Sequence, residues 1–165
     1  MGRSVIRLFY WIVLLMTAAD QISKLFIRSM MDAGDTYTVW SGILEFQYYQ
    51  NSGAARSLFQ GYGRFFGIVA LIFMLGVFYY RKNKFPLPRL LDIGLAFLVA
   101  GAAGNGIERL WYGKVTDFLV FGEGQGILNI ADLSINVGVL LVIVDQLFLS
   151  RSNKKRDRMP PSLMT

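Results

Sequence analysis

The chain has 165 residues, 54% of them hydrophobic and 15% aromatic, with a mean hydropathy of +0.43 and a net charge of +6. It contains no Cys and no His, which excludes disulfides, thiolate nucleophiles, Cys- or His-ligated metals and the Ser-His-Asp and Cys-His triads. Proton chemistry must therefore run on Asp, Glu, Lys or Tyr, and the length suits one domain.

The apolar residues gather in four runs, each approaching the roughly 20 residues of helix that cross a bilayer. The first, "LFYWIVLLMTAA" from Leu8 to Ala19, is predicted to continue as helix through Asp20 to Ile27. Arg3, Arg7 and "TAAD" imitate a secretory signal, but three more runs follow and the first resumes after Asp20, so an uncleaved helix is expected. Residues 28–64 do not span. Their "YTVWSGILEFQYYQ" is rich in β-branched and aromatic residues and predicts one or two short strands. "GAARSLFQGYGRFF" predicts a short interfacial helix or loop. The second run is Phe65 to Tyr80 and the third is Ile93 to Ile107. A second outer segment, about 108–132, contains "YGKVTDFLVFGEGQGILNIAD" and predicts a strand and a Gly-rich turn. The fourth run is Leu133 to Leu149, and the structural alternative for Asp132 is an N-cap to it, with Leu133 as first helical residue. Residues 1–150 make one four-helix membrane domain, and the basic stretch 151–165 is expected to be a disordered cytoplasmic tail.

Charge orients the spans. Arg3 and Arg7 precede the first, Arg81, Lys82, Lys84 and Arg89 separate the second from the third, and Arg151, Lys154, Lys155, Arg156 and Arg158 follow the fourth. These are eleven of the 17 basic residues. An even number of spans puts all three groups on one side, which the positive-inside rule makes cytoplasmic. Both termini are then inside. The positive charge serves topology and attraction to anionic headgroups, and no nucleic-acid partner is expected.

Polar residues collect at the outer ends of the spans. Asp20 and Lys24 share a helix face at i, i+4. "QNSGAA" holds Asn51, "GAAGNGIERL" holds Asn105, Glu108 and Arg109, "VTDF" holds Asp117, and "LNIAD" holds Asn129 and Asp132. Taken singly, each has a structural explanation: a helix-end ion pair, an interfacial stop, a small-xxx-small packing stripe, a cap. As a set they exceed what packing demands, and ionisable groups at membrane depth point to function. Asp117 and Asp132 both flank apolar stretches. Two close, partly desolvated carboxylates share one proton, which supplies a general base and a general acid without His. The base would take a proton from water, the water would attack a carbonyl, and the acid would protonate the carbonyl oxygen. A small transporter or channel is the alternative, but such proteins place ionisable groups near the midplane, where these spans carry none. A non-catalytic lipid-binding or assembly protein would leave both aspartates replaceable.

"DQISK", "NSGAA", "GAAGNGIER", "VTDF" and "LNIAD", in this order among four spans, resemble the lipoprotein signal peptidase (signal peptidase II) family from about Asp20 to Gly138. The resemblance implies an all-α membrane protein of four transmembrane helices with a small extracytoplasmic β-sheet and an interfacial helix. It implies a bacterial inner-membrane aspartic endopeptidase, both termini cytoplasmic, that cleaves prolipoproteins just before a diacylglyceryl-modified cysteine. The family's catalytic aspartates fall on Asp117 and Asp132. Its supporting or substrate-binding positions fall on Asp20, Lys24, Asn51, Gly53, Asn105, Arg109 and Asn129. No metal or cofactor is implied. Lipid-modified prolipoprotein and membrane lipid are the implied partners, the protein is expected to be a monomer, and globomycin-type antibiotics are implied inhibitors. Two positions depart from the family pattern. Glu108 stands where "GNxxDR" has Asp, a change expected to be tolerated because the charge is kept. Arg56 follows "GAA" where a small or aromatic residue is usual, and it is expected to reach lipid phosphate.

Overall fold

The computed structural model describes residues 2–53, 58–122 and 126–157. The chain runs α1 (Gly2–Met30), β1 (Thr36–Trp40), β2 (Leu44–Asn51), α2 (Gly63–Lys84), α3 (Arg89–Tyr112), β3 (Val115–Phe121), β4 (Ile127–Leu128) and α4 (Ile130–Asp157). All four helices are long and apolar enough to span a membrane, over Arg7–Met30, Gly63–Lys84, Arg89–Tyr112 and Ile130–Phe148. Their outward faces carry large exposed apolar side chains: Trp11, Leu14 and Ile22 on α1, Ile68 and Ile72 on α2, Leu140 and Ile143 on α4. Water would not tolerate so continuous an apolar surface, whereas lipid favours it.

Helix α3 is central and packs against the other three. Small residues let α4 approach it: a Cβ placed on Gly101 would lie 2.5 Å from Ala131 O, and one on Gly138 would lie 2.8 Å from Gly94 O. This is the close approach that small residues permit where no hydrophobic effect drives helices together. Near the turn between α2 and α3 a buried ion pair ties three helices. Arg81 Nε and Nη2 donate to Asp92 at 2.6 and 3.1 Å, and the guanidinium lies 4.1 Å from the centre of the Phe9 ring.

At the opposite end of the bundle the four strands form one antiparallel sheet in chain order. β2 pairs with β3 through Tyr49↔Asp117, Gln50↔Thr116 and Asn51↔Val115, with a register shift between Phe46 and Tyr49. β3, like β2, is an inner strand, and its residues Val115 to Val120 are buried on both faces. A cluster of Ile27, Tyr48, Phe118 and Leu119, flanked by Ile130 and Leu133, fastens the sheet to the ends of α1 and α4. Helix α3 stops at Gly113, whose φ of 73° lets its N–H reach back to Arg109 O at 3.0 Å. That left-handed cap is cheap for glycine, and it turns the chain into β3 two residues later.

The structure corrects the start of the fourth helix. Asn129, not Asp132, is its cap: Asn129 Oδ1 accepts the Asp132 N–H at 2.9 Å, and Asp132 Oδ2 accepts the Asn129 N–H at 3.2 Å. This is a reciprocal capping box, with Asp132 as its third helical residue. The other element differences are smaller. The 28–64 segment contains two strands, and residues 58–61, within the stretch expected as helix or loop, form a turn. Helix α4 continues to Asp157, past the boundary expected at 150. Arg56, Arg158 and the rest of 158–165 lie outside the described residues.

Candidate active site

Asp117 sits on β3 and Asp132 in the first turn of α4. Each carboxylate is held by amides. Asp117 Oδ1 accepts from Asn129 Nδ2 at 2.6 Å and Oδ2 from Asn51 Nδ2 at 3.1 Å. Asp132 Oδ1 accepts from Asn105 Nδ2 at 2.8 Å, and its Oδ2 is taken by the Asn129 N–H. Asn129, fully buried, therefore touches both aspartates. Its side chain joins strand to helix, and the capping box sets the rotation of the first α4 turn. Asn51 reaches Asp117 from the neighbouring strand, two residues on from its pairing partner Tyr49, the diagonal contact expected on one face of an antiparallel pair.

Beneath the pair lies a buried charge network. Lys24 Nζ contacts Asp20 Oδ2 at 2.8 Å, Asn105 Oδ1 at 2.9 Å and Glu108 Oε2 at 3.3 Å. Asp20 and Lys24 are inaccessible to solvent, and Glu108 is nearly so. Such charges persist away from water only when paired and hydrogen-bonded. Asp20 Oδ1 also accepts the Ala131 N–H at 2.8 Å, so the α1 carboxylate satisfies a free amide in the first turn of α4. Gly104 gives Asp20 its room, since a Cβ there would lie 2.6 Å from Asp20 Oδ2. "GAAGNG" thus serves both helix contact and site geometry.

Arg109 closes the other side. Its Nη2 donates to Gly53 O at 3.2 Å and its guanidinium lies 5.7 Å from the Phe66 ring centre. Its Nε is buried with no hydrogen-bond partner among the described residues. Gly53 N donates to Asn51 Oδ1 at 3.0 Å, which braces the loop that Arg109 holds.

Burial pushes the Asp117 carboxyl up from its ordinary 3.8 to about 6, and the neighbouring negative charge of Asp132 adds to the rise. Hydrogen bonds from Asn51 and Asn129, and the charge of Lys24, act in the opposite direction. Near neutral pH a carboxyl of this kind exchanges its proton readily, which is what general acid–base chemistry requires. No group of three or more His, Cys, Asp or Glu side chains among the described residues could hold a metal ion.

The fold brings together the nine residues that the resemblance picks out, Asp20, Lys24, Asn51, Gly53, Asn105, Arg109, Asp117, Asn129 and Asp132, and with them Glu108. Two participants escaped sequence reasoning. Arg28 Nη1 bonds Glu108 Oε1 and lies 3.2 Å from Thr116 Oγ1. Thr116 donates to Glu108 through both its N–H and its hydroxyl, each at 2.9 Å. A signal for Arg28 was present, because Asp20, Lys24 and Arg28 repeat every four residues along one helical face. Nothing local marked Thr116.

A family model described as signal peptidase (SPase) II matches residues 12–148. A lipoprotein signal peptidase of Synechocystis sp. is 37% identical over 89% of this chain and 92% of its own length. One from Bacillus pumilus is 36% identical over 90% and 98%, and one from Fusobacterium nucleatum is 40% identical over 94% and 93%. A solved structure described as a bacterial membrane enzyme superposes with a TM-score of 0.82 at 31% identity, covering 94% of this chain and 96% of that one. A second so described gives 0.78 at 31% identity, over 86% and 94%.

Proposed function

The chain belongs to the signal peptidase II family, a peptidase family that removes signal peptides from prolipoproteins in the bacterial inner membrane, and on that premise we propose that Asp117 and Asp132 are its catalytic pair. The observation that carries the proposal is Asn129, which hydrogen-bonds to both carboxylates and so holds them across one small space. One carboxyl is charged and the other protonated. The charged one takes a proton from water as the water oxygen attacks the scissile carbonyl carbon, and the protonated one donates to the carbonyl oxygen. Collapse of the resulting diol passes a proton to the leaving nitrogen as the C–N bond breaks. The two groups titrate as a pair, so the roles belong to the pair rather than to a named residue.

The supporting residues divide by what they touch. Asn51, Asn105 and Asn129 donate to the carboxylates and fix their orientation. Lys24 and Asp20 hold the helices that carry them. Arg109 keeps a buried Nε donor available to a substrate carbonyl, and Gly53 provides the backbone that positions it.

The substrate is a prolipoprotein carrying a diacylglyceryl group on the cysteine that follows the scissile bond. Both termini face the cytoplasm and the site faces outward, as the basic runs at 81–89 and 151–158 require. A substrate held by its signal helix and acyl chains arrives by lateral diffusion. Each buried CH₂ contributes about 0.8 kcal/mol to that anchoring, so the site need not bind a long peptide tightly. The protein is expected to act as a monomer, and globomycin-type antibiotics are expected to block the same space.

The test uses purified enzyme in liposomes with a lipidated prolipoprotein. Asp117→Asn and Asp132→Asn should each insert normally and lose turnover by about 10³-fold or more. The unlipidated prolipoprotein should be cleaved far more slowly than the lipidated one. Wild-type turnover by either variant removes the catalytic pair, and equal cleavage of both substrates removes lipid recognition.

A further inference from the structure

Asp132 is tied into the bundle by Asn105, by its own capping box and, through Ala131, by Asp20. Asp117 has no such tie through its own helix, because it stands on a strand. β4 covers β3 only at Leu119 and Val120. The Thr116 N–H instead finds its acceptor in Glu108 of α3, 2.9 Å away. Glu108 is 1% exposed, and each of its oxygens serves Thr116: Oε2 takes the amide, Oε1 the hydroxyl. Its charge is met from α1 on both sides, by Lys24 at Oε2 and by Arg28 at Oε1. Arg28 also reaches Thr116 Oγ1 and rests against the Tyr112 ring, 5.6 Å from its centre. Successive strand residues face opposite sides, so this group grips β3 from behind while Asp117 faces the site.

We propose that Arg28 and Glu108 are positioning residues for Asp117: they clasp Thr116 and thereby set where β3 holds the neighbouring carboxyl relative to Asp132. The inference rests on Asp117 being catalytic. Three features argue for positioning rather than general stability. The clasp bears on one residue, adjacent to Asp117. It joins three elements, α1, α3 and β3, whose relative placement sets the spacing between the two carboxyls. It also shares Lys24 with the Asn105–Asp132 arm, so both halves of the site refer to the same buried ammonium. Glu108 uses both oxygens on Thr116 while meeting two cations, and an aspartate there is one methylene shorter.

Steady-state cleavage of the lipidated prolipoprotein in liposomes tests this, together with amide hydrogen exchange of the 115–121 segment. Arg28→Gln should lower kcat about 10- to 100-fold, the scale of an ångström-level misplacement, with KM unchanged. Arg28→Lys should restore most of the loss. Glu108→Gln should behave like Arg28→Gln, and the double variant should fall no further than the worse single one, as expected for residues acting as a unit. Exchange in 115–121 should quicken while the central turns of α3 and α4 stay protected. Should Arg28→Gln not fold, Glu108→Asp carries the test, with an expected kcat loss of about tenfold and the same local exchange. Unchanged kcat per folded molecule, or a rise in KM alone, overturns the proposal. Asp117→Asn runs alongside: if it keeps its turnover, the catalytic assignment has failed, whatever the clasp variants do.

Discussion

Asn129 shows what single residues do in this site. A carboxylate at membrane depth is costly to ionise, and each hydrogen bond to it reduces the cost. Asn51 and Asn129 donate to Asp117 and so oppose the burial that raises its pKa to about 6. The sign of a substitution follows. Asn51→Ala removes a donor that stabilises the charged form, so the proton is held more tightly. Loss of the acid form, which ends activity on the alkaline side, should then move to higher pH. A hydrogen bond worth about 0.5–1.5 kcal/mol corresponds to roughly half to one pH unit. The pH dependence of kcat/KM, wild type against Asn51→Ala, measures it, and an alkaline limb that stays in place or moves down contradicts the assignment. Asn129 is a poorer test, because its loss also uncaps α4.

At the scale of elements, the contact between α3 and α4 decides whether Asp132 meets Asp117. Gly101 lies against Ala131 O and Ile135, with 2.5 Å available to a Cβ on either side. A side chain there must push back the first turn of α4, which holds Asp132. Gly101→Val should destabilise the protein by about 1–3 kcal/mol, the usual cost of overpacking, and should lower activity further in the molecules that remain folded. Gly76 of α2 has open space where its Cβ would stand, so Gly76→Val should leave both near wild type. Thermal unfolding in detergent, with activity per folded molecule, compares the two. Equal effects at both positions would show that the α3–α4 approach is not limiting. β3 makes the complementary point: its Val115–Val120 stretch is buried on both faces, so it behaves as an inner strand and gives Asp117 a rigid mount.

For the whole molecule the question is which way it faces. One end of the bundle carries the Arg81–Asp92 pair and the basic 81–89 stretch, and the other carries the sheet and the carboxylates. The chain has no Cys, so single cysteines report topology cleanly. Ser41→Cys, in the exposed turn between β1 and β2, should react with an impermeant thiol reagent applied from outside intact cells. Asn83→Cys, beside Lys82 and Lys84, should react only after the cytoplasmic side is opened. The reverse pattern would overturn the orientation and, with it, the side on which the substrate is cut.

Much of this was legible in the sequence, for local reasons. Four apolar runs specify the spans, because transfer to lipid depends on composition along the chain, and the placement of the basic residues carries the proposed orientation. The polar motifs at the span ends were visible because charge at that depth is rare. The partnerships were not. Asp20 meets Ala131 across 111 positions and Arg28 meets Thr116 across 88, and no periodicity within a segment encodes such distances. The start of α4 belongs with these partnerships: only the folded chain shows Asn129 and Asp132 bonded to each other, with Asn129 as the cap and Asp132 within the helix. Composition and order along the chain determined which groups stand at the ends of the spans. The packing of α1, α3, β3 and α4 decided which of them touch, because burial leaves each charge stable only where a partner from a distant segment meets it.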